Sequence, residues 1–487
     1  MRPRYPFRTA TLRAPAALLT VGLMTACAVG PDYKRPTVAV PAHFKEAGDG
    51  WKPAQPNDRH DRGAWWKRFG DPELDALEAR VARSNQTVAS YEAAYRNARA
   101  LVAEARASLF PTLGASGSAS RARGAGRSTT APGGINAGTS TLGNIFDLSL
   151  DASWEPDLWG RVRRQVSGAK ASAQAAGSDL DNAKLSAQAM LAQSYFRLRA
   201  LDATQRLLDD AVLGYQKSLQ LTQNRYVQGV AGRADVLQAQ TQLALAQASA
   251  TDNEISRATY EHAIAVLVGE PASSFSLPRV PLTATPPPLP AELPSTLLER
   301  RPDIAAAERR AAAANEQIGV AISAWFPSLN LSASGGFTSS TLAQWLTAPH
   351  LVWALGPQLV ATLFDGGLRA AQTEQARAAY DQGVANYRQT VLAAFQDVED
   401  NLVSLRVLEK EVVLQQEAVG YAEKTLEVVM NQYKAGTVTY LEVITAQATL
   451  YSSQQQLASI AGQRMVSAVG LVKALGGDWD VATAPHE

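Results

Sequence analysis

Cysteine is almost absent from this chain of 487 residues: Cys27 is the single one, so no internal disulfide exists. Charge of one sign is missing too. With 46 Lys and Arg against 45 Asp and Glu the formal net charge is +1, and no basic field or acidic tail points to a nucleic-acid partner. Charged residues reach 19% against 46% hydrophobic, a balance that fits neither a disordered chain nor a rod rich in Glu and Lys. Beyond the N-terminal segment there is no run of about 18 apolar residues free of charge, hence no transmembrane helix; a membrane crossing would have to be made by strands. The signatures of catalysis are lacking as well. There is no P-loop, no Gly-x-Gly-x-x-Gly behind a strand and no His-Glu-x-x-His, while His43, His60, His262, His350 and His486 lie scattered without ligand spacing. Ser167-Gly168-Ala169-Lys170 fits Ser-x-x-Lys but stands on a long helix without companion motifs. Neither an enzyme nor a metal or cofactor is expected.

The chain begins with Arg2, Arg4, Arg8 and Arg13, followed by an apolar stretch from Ala14 to Ala26 that reads as a signal peptide. Leu23-Met24-Thr25-Ala26-Cys27 resembles a bacterial lipobox, with Met24 where that pattern prefers Leu. The resemblance implies cleavage before Cys27, covalent lipid on its side chain and, because Ala28 rather than Asp follows, delivery to the outer membrane. Ordinary secretory cleavage beside a chance Cys is the alternative.

Proline is withheld from two long tracts, residues 157–270 and 358–484, both rich in Ala, Gln, Leu and Glu. Apolar residues recur there at helical spacing, as in Leu191, Tyr195 and Leu198 or Val391, Phe395 and Val398. The tracts predict helices over Arg161–Tyr226 and Leu368–Lys434, each with a returning helix, Asp235–Val268 and Glu442–Leu475. Gly229 and Gly436 stand just past the first helix of each pair, where glycine ends helices. The two halves match one another. Phe110-Pro111-Thr112-Leu113 returns as Phe326-Pro327-Ser328-Leu329, and Asn224-Arg225-Tyr226-Val227-Gln228-Gly229 returns 207 residues later as Asn431-Gln432-Tyr433-Lys434-Ala435-Gly436. The chain is a tandem duplication.

Each half also opens with two strands. Over Ile145–Trp154, Phe146, Leu148, Leu150, Ala152 and Trp154 share one face while Asp147, Ser149, Asp151 and Ser153 share the other, and Thr112–Ser120 is the facing partner. In the second half Leu329, Leu331, Ala333 and Phe337 alternate with polar residues, and a return strand over Trp353–Leu363 is interrupted by Pro357. Loops Arg121–Gly143 and Thr338–Leu351 join the strands of each pair. Strands of about ten residues with one apolar and one polar face are a feature of outer-membrane barrels, although a soluble sheet with one wet face shares the pattern. Four strands cannot close a barrel, so copies must associate; two chains would supply eight strands and three would supply twelve, with room inside for solvent. The segments read as signal peptide 1–26, anchor and first helix 27–107 (helix Pro72–Ala107), first repeat 108–270, Pro-rich linker 271–303, connecting helix 304–324, second repeat 325–477 and tail 478–487.

Together with the lipobox, Trp65-Trp66-Lys67-Arg68-Phe69-Gly70-Asp71-Pro72, the connector Glu299-Arg300-Arg301-Pro302-Asp303-Ile304 and the paired Phe-Pro and hairpin-tip motifs resemble the lipoprotein branch of the outer membrane factors of tripartite efflux pumps. The resemblance spans about Ala14 to Trp479. It implies a mainly α fold with a membrane β-barrel: a homotrimer whose twelve strands form the barrel and whose helices form a second barrel in the periplasm. It further implies a passive exit duct loaded by an inner-membrane pump through a periplasmic adaptor. The hairpin tips Gly229, Val230, Gly436 and Thr437 would touch the adaptor, and a periplasmic gate would use Asp235, Glu442 and Tyr433, with Tyr433 bonded to Asp235. In relatives a second acidic ring and a basic latch occupy positions that are here Thr445 with its counterpart Gln238, and Val438, none of them charged. A channel for polypeptide secretion and a pore-free structural lipoprotein are the rival readings. The residues name no cargo, which in such systems includes drugs, metal ions and toxic aromatic acids.

Overall fold

The structure is a computed structural model and describes residues 28–38, 63–124, 141–287 and 301–477. The signal peptide, Cys27, the central part of the loop between the first two strands, the prolines from Pro288 to Pro294 and the C-terminal tail lie outside the described residues. In chain order the elements are α1 (Pro72–Ser84), α2 (Gln86–Ala107), β1 (Thr112–Gly124), β2 (Thr141–Trp154), α3 (Arg161–Val227), α4 (Arg233–Leu267), α5 (Pro302–Ser323), β3 (Ser328–Ser339), β4 (Leu351–Val360), α6 (Leu368–Ala435) and α7 (Tyr440–Ala474). The duplication is plain: a strand pair, a long helix and a 35-residue return helix occur twice.

One compact unit gathers residues up to 36 with 97–174 and 309–385, and holds the sheet. All four strands pair antiparallel in the order β1-β2-β3-β4. The register puts Leu113, Leu331, Ala333, Trp353 and Leu355 on the face of Phe146, Leu148, Leu150, Ala152 and Trp154, so one apolar face runs across the whole sheet. That face is bare: Leu113, Trp353 and Leu355 are each at least 75% exposed. Over β1, β2 and β3 the opposite face is polar and bonds to itself, Ser116 to Ser149 at 2.8 Å, Ser149 to Asp151 at 2.8 Å and Thr338 to Asp147 at 2.7 Å, whereas β4 brings Val352, Ala354, Gly356, Gln358 and Val360 to it. Gly336 permits β2 and β3 to meet, since a Cβ there would lie 2.1 Å from the Leu148 carbonyl oxygen. The fourth strand is displaced from its expected span. It begins at Leu351, opposite Phe337, and ends at Val360, opposite Ser328, because pairing with β3 sets its limits and leaves Leu363 outside the sheet. Pro357 does not break it; it sits opposite Leu331 on the outer strand of the protomer's sheet, where a missing N–H is tolerated.

In this unit the second Phe-Pro motif has a definite role. The Trp159 indole stacks on Phe326 at 4.8 Å and donates to the Pro327 carbonyl at 2.7 Å. Asp157 starts α3 by accepting the amides of Val162 and Arg163. The chain just after Cys27 is tied down beside it: Val29 N–H donates to the Trp159 carbonyl, and the buried Arg164 donates to the Val29 and Gly30 carbonyls, Asp32 and Glu316.

The other unit comprises 37–96, 175–308 and the chain from 386. Its core gathers Trp65, Phe69, Leu74, Leu77, Tyr195, Phe196, Leu198, Ile264, Val398, Met465 and Val472. Here the expected helix Pro72–Ala107 proves to be two. Asn85 takes an extended conformation between them, accepts the Val88 amide as a cap and donates through its side chain to the Leu267 carbonyl at 2.8 Å. A hydrogen bond to a residue 182 positions away decides the break. The start of the Pro-rich linker is pinned in the same unit. Asp202, almost wholly buried, accepts from Arg257 at 2.7 Å, Arg199 at 3.3 Å and the Val280 amide at 3.1 Å, while Arg199 and Arg257 donate to the Pro278 and Leu277 carbonyls.

Candidate functional site

The hairpin tips are the places where the repeats end in irregular backbone. Gly229 at φ 77° and Gly436 at φ 79° terminate α3 and α6 in the left-handed conformation that glycine accepts without strain. Repeat-matched bonds close both turns: Val230 N–H donates to the Arg225 carbonyl at 2.9 Å, and Thr437 N–H to the Gln432 carbonyl at 3.0 Å. Gly229, Val230, Gly436 and Thr437 are all exposed. The two tips thus present the same backbone shape with different side chains.

Asp235 and Glu442 both lie in the first turn of their return helices. The Asp235 carboxylate accepts the Gly232 N–H at 3.1 Å, which satisfies a free amide at the start of α4 and suits the positive end of the helix dipole. Glu442 is exposed. The bond expected between Tyr433 and Asp235 is not formed within the protomer. Tyr433 is only 3% exposed and its hydroxyl lies 3.3 Å from Thr222 Oγ1, because α6 packs its last turn against α3; the matching Tyr226 is 46% exposed. Val438 is apolar and packs against the same small core, and Thr445 turns its hydroxyl to the Leu441 carbonyl, so neither carries charge at the tip.

That core contains Ala239, Tyr433, Tyr440, Val443 and Ile444. Threaded through it is a polar seam that sequence reasoning missed. Gln447 donates to Ser218 Oγ at 2.9 Å, Thr222 donates to the Ser218 carbonyl, and the Tyr440 ring lies 5.5 Å from that of Tyr433. Burial, with the neighbouring Tyr433 second, pushes the Tyr440 hydroxyl up to about 12. Arg225 closes the seam, its guanidinium 4.5 Å from the Tyr433 ring centroid. Ser218, Thr222 and Arg225 follow one another on a single face of α3, a polar stripe at helical spacing that was the available signal. No group of acids, histidines or cysteines able to hold a metal occurs among the described residues.

A duplicated protomer with two strand pairs, one bare apolar sheet face and two long helical hairpins is the build of an outer-membrane channel subunit. No helix among the described residues is long and apolar enough to cross a membrane. The sequence matches the profile of the outer membrane efflux protein family over residues 77–270 and 293–477, and the chain belongs to that family. It is 32% identical over 468 residues to the pyoverdine export outer membrane protein OpmQ of Pseudomonas aeruginosa, covering 94% of this chain and 95% of that one. It is 27% identical over 464 residues to the cation efflux system protein CusC of Escherichia coli, covering 94% and 96%. Among solved structures, the outer-membrane channel OprN superposes with a TM-score of 0.82 at 29% identity, covering 93% of this chain and all of that one.

Proposed function

We propose that three copies of this chain form a passive exit duct: a twelve-stranded barrel in the outer membrane continued by a helical barrel in the periplasm, loaded by an inner-membrane pump through an adaptor. The carrying observation is the sheet. Its apolar face is continuous over four strands, its other face is polar and self-bonded over β1 to β3, and β1 and β4 end the sheet without a further strand among the described residues. Four strands leave two open edges, and an edge in lipid is untenable, so each edge must pair with another copy. The polar faces would then line the lumen. The exposed tips at Gly229, Val230, Gly436 and Thr437 are the surface offered to the adaptor, and Asp235 and Glu442, repeated by symmetry, would surround the exit path with acidic charge. No chemical step is required of any residue. Selection of cargo would fall to the pump, in keeping with relatives named for cargoes as unlike as pyoverdine and cations.

The anchor belongs to the same proposal. Cys27 immediately precedes a segment bound to Trp159 and Arg164, five and ten residues past the end of β2, so lipid on Cys27 would enter the membrane beside the barrel. Native mass spectrometry of the purified protein should give three chains, each carrying fatty acyl groups. Cys27→Ser should abolish incorporation of labelled fatty acid while trimers persist. Label retained in the variant would remove the lipid assignment, and a monomer as the only species would remove the duct.

A further inference from the structure

Arg225 bridges the two hairpins of a protomer at their tips, beyond the Thr222–Tyr433 and Ser218–Gln447 contacts. It stands in the last turn of α3, yet it caps the end of α6, donating through Nη1 to the Tyr433 carbonyl at 2.6 Å and to the Lys434 carbonyl at 3.2 Å while its plane lies over the Tyr433 ring. These are the carbonyls a helix leaves unpaired at its C-terminus, where the dipole favours a cation, so one guanidinium meets three attractions at once. We propose that Arg225 is the latch of the periplasmic gate: a positioning residue that holds the second hairpin against the first in the closed duct. The inference rests on the duct reading and names what keeps that duct shut.

Two observations set it apart from an ordinary helix cap. The repeat supplies the same backbone turn twice, but the position matching Arg225 is Gln432, so the bridge runs one way only, from the first hairpin to the second. The seam behind it is also incompletely satisfied: Arg225 Nε and Gln447 Oε1 are buried without hydrogen-bond partners. Buried polar groups left without partners cost free energy, so a separation of the hairpins that hydrates them regains part of that cost. Separating the hairpins would break the two bonds from Nη1 to Tyr433 and Lys434 and give these atoms access to water.

The test is conductance of the purified protein in planar lipid bilayers, with assembly checked by native mass. Arg225→Gln should raise the open probability about tenfold or more, as expected for losing charge-assisted bonds in every copy. Arg225→Lys, which keeps the charge but not the planar guanidinium over the Tyr433 ring, should fall between. Thr222→Val, which removes the partner of the Tyr433 hydroxyl and the donor to the Ser218 carbonyl but keeps both Arg225 bonds, should open less often than Arg225→Gln. Wild-type opening in Arg225→Gln trimers would overturn the latch while leaving the duct intact. Absence of conductance from every assembled variant, wild type included, would instead overturn the duct. If Arg225→Gln does not assemble, hydrogen exchange of the Gly436 and Thr437 amides in Arg225→Lys decides: exchange about tenfold faster than wild type supports the latch, and unchanged exchange overturns it.

Discussion

Leu150→Arg should cost the membrane-inserted protein about 2–4 kcal/mol, the range for a cation on the lipid face of a barrel near mid-membrane. Leu150 pairs with Ala115 and Gly335 on the apolar face, and nothing around it could accept a guanidinium. Leu148→Arg, one step along the same face, should behave alike. Ser149→Arg sets the contrast. It falls on the polar face beside Asp151, where a cation would find water and a carboxylate, so folding should be little affected. The yield of folded protein from urea in lipid vesicles measures both. An equal penalty at Leu150 and Ser149 would mean that the sheet does not separate lipid from water.

Glu78→Gln should flatten the pH dependence of stability. Glu78 is wholly buried on the apolar stripe of α1 with Leu74, Leu77 and Val81, and neither carboxyl oxygen has a partner. Burial foremost, and the charge of Asp75 second, raises its pKa from 4.5 to about 9. The folded protein therefore keeps the proton at neutral pH, whereas the unfolded chain releases it above 4.5. Stability from this group is complete below 4.5 and drains away as pH rises toward 9. By pH 7 the loss is about 3 kcal/mol, at 1.36 kcal/mol per unit. Wild type should accordingly melt at a lower temperature at pH 9 than at pH 6, followed by helical circular dichroism, and Glu78→Gln should lose most of that difference. The same slope in both proteins would place the ionised carboxylate in the folded state.

Much of this architecture is legible in the residues, for reasons that can be named. The long helices announce themselves because proline is withheld from them and glycine stands just past their ends; the expected Arg161–Tyr226 and Leu368–Lys434 differ from α3 and α6 by one residue each. The strand faces are legible because alternation over Phe146 to Trp154 is uninterrupted. What escapes is set by partners distant in sequence. Asn85 divides the first helix through Leu267, Tyr433 turns to Thr222 rather than Asp235, and Arg225 reaches the end of α6. Glu78 escapes for a different reason. A glutamate inside a helical stripe reads as a solvated edge, and only packing reveals that water is excluded from it.

Ion conductance of the wild-type protein in a planar bilayer, without nucleotide, pump or adaptor, bears most directly on the central claim. A sheet with an apolar outer face and a polar inner face, closed by copies of itself, predicts discrete current steps from the trimer and a preference for cations that weakens when Glu442 is replaced by Gln. Trimers that insert into the bilayer and pass no current, with Arg225 intact or replaced, would contradict it.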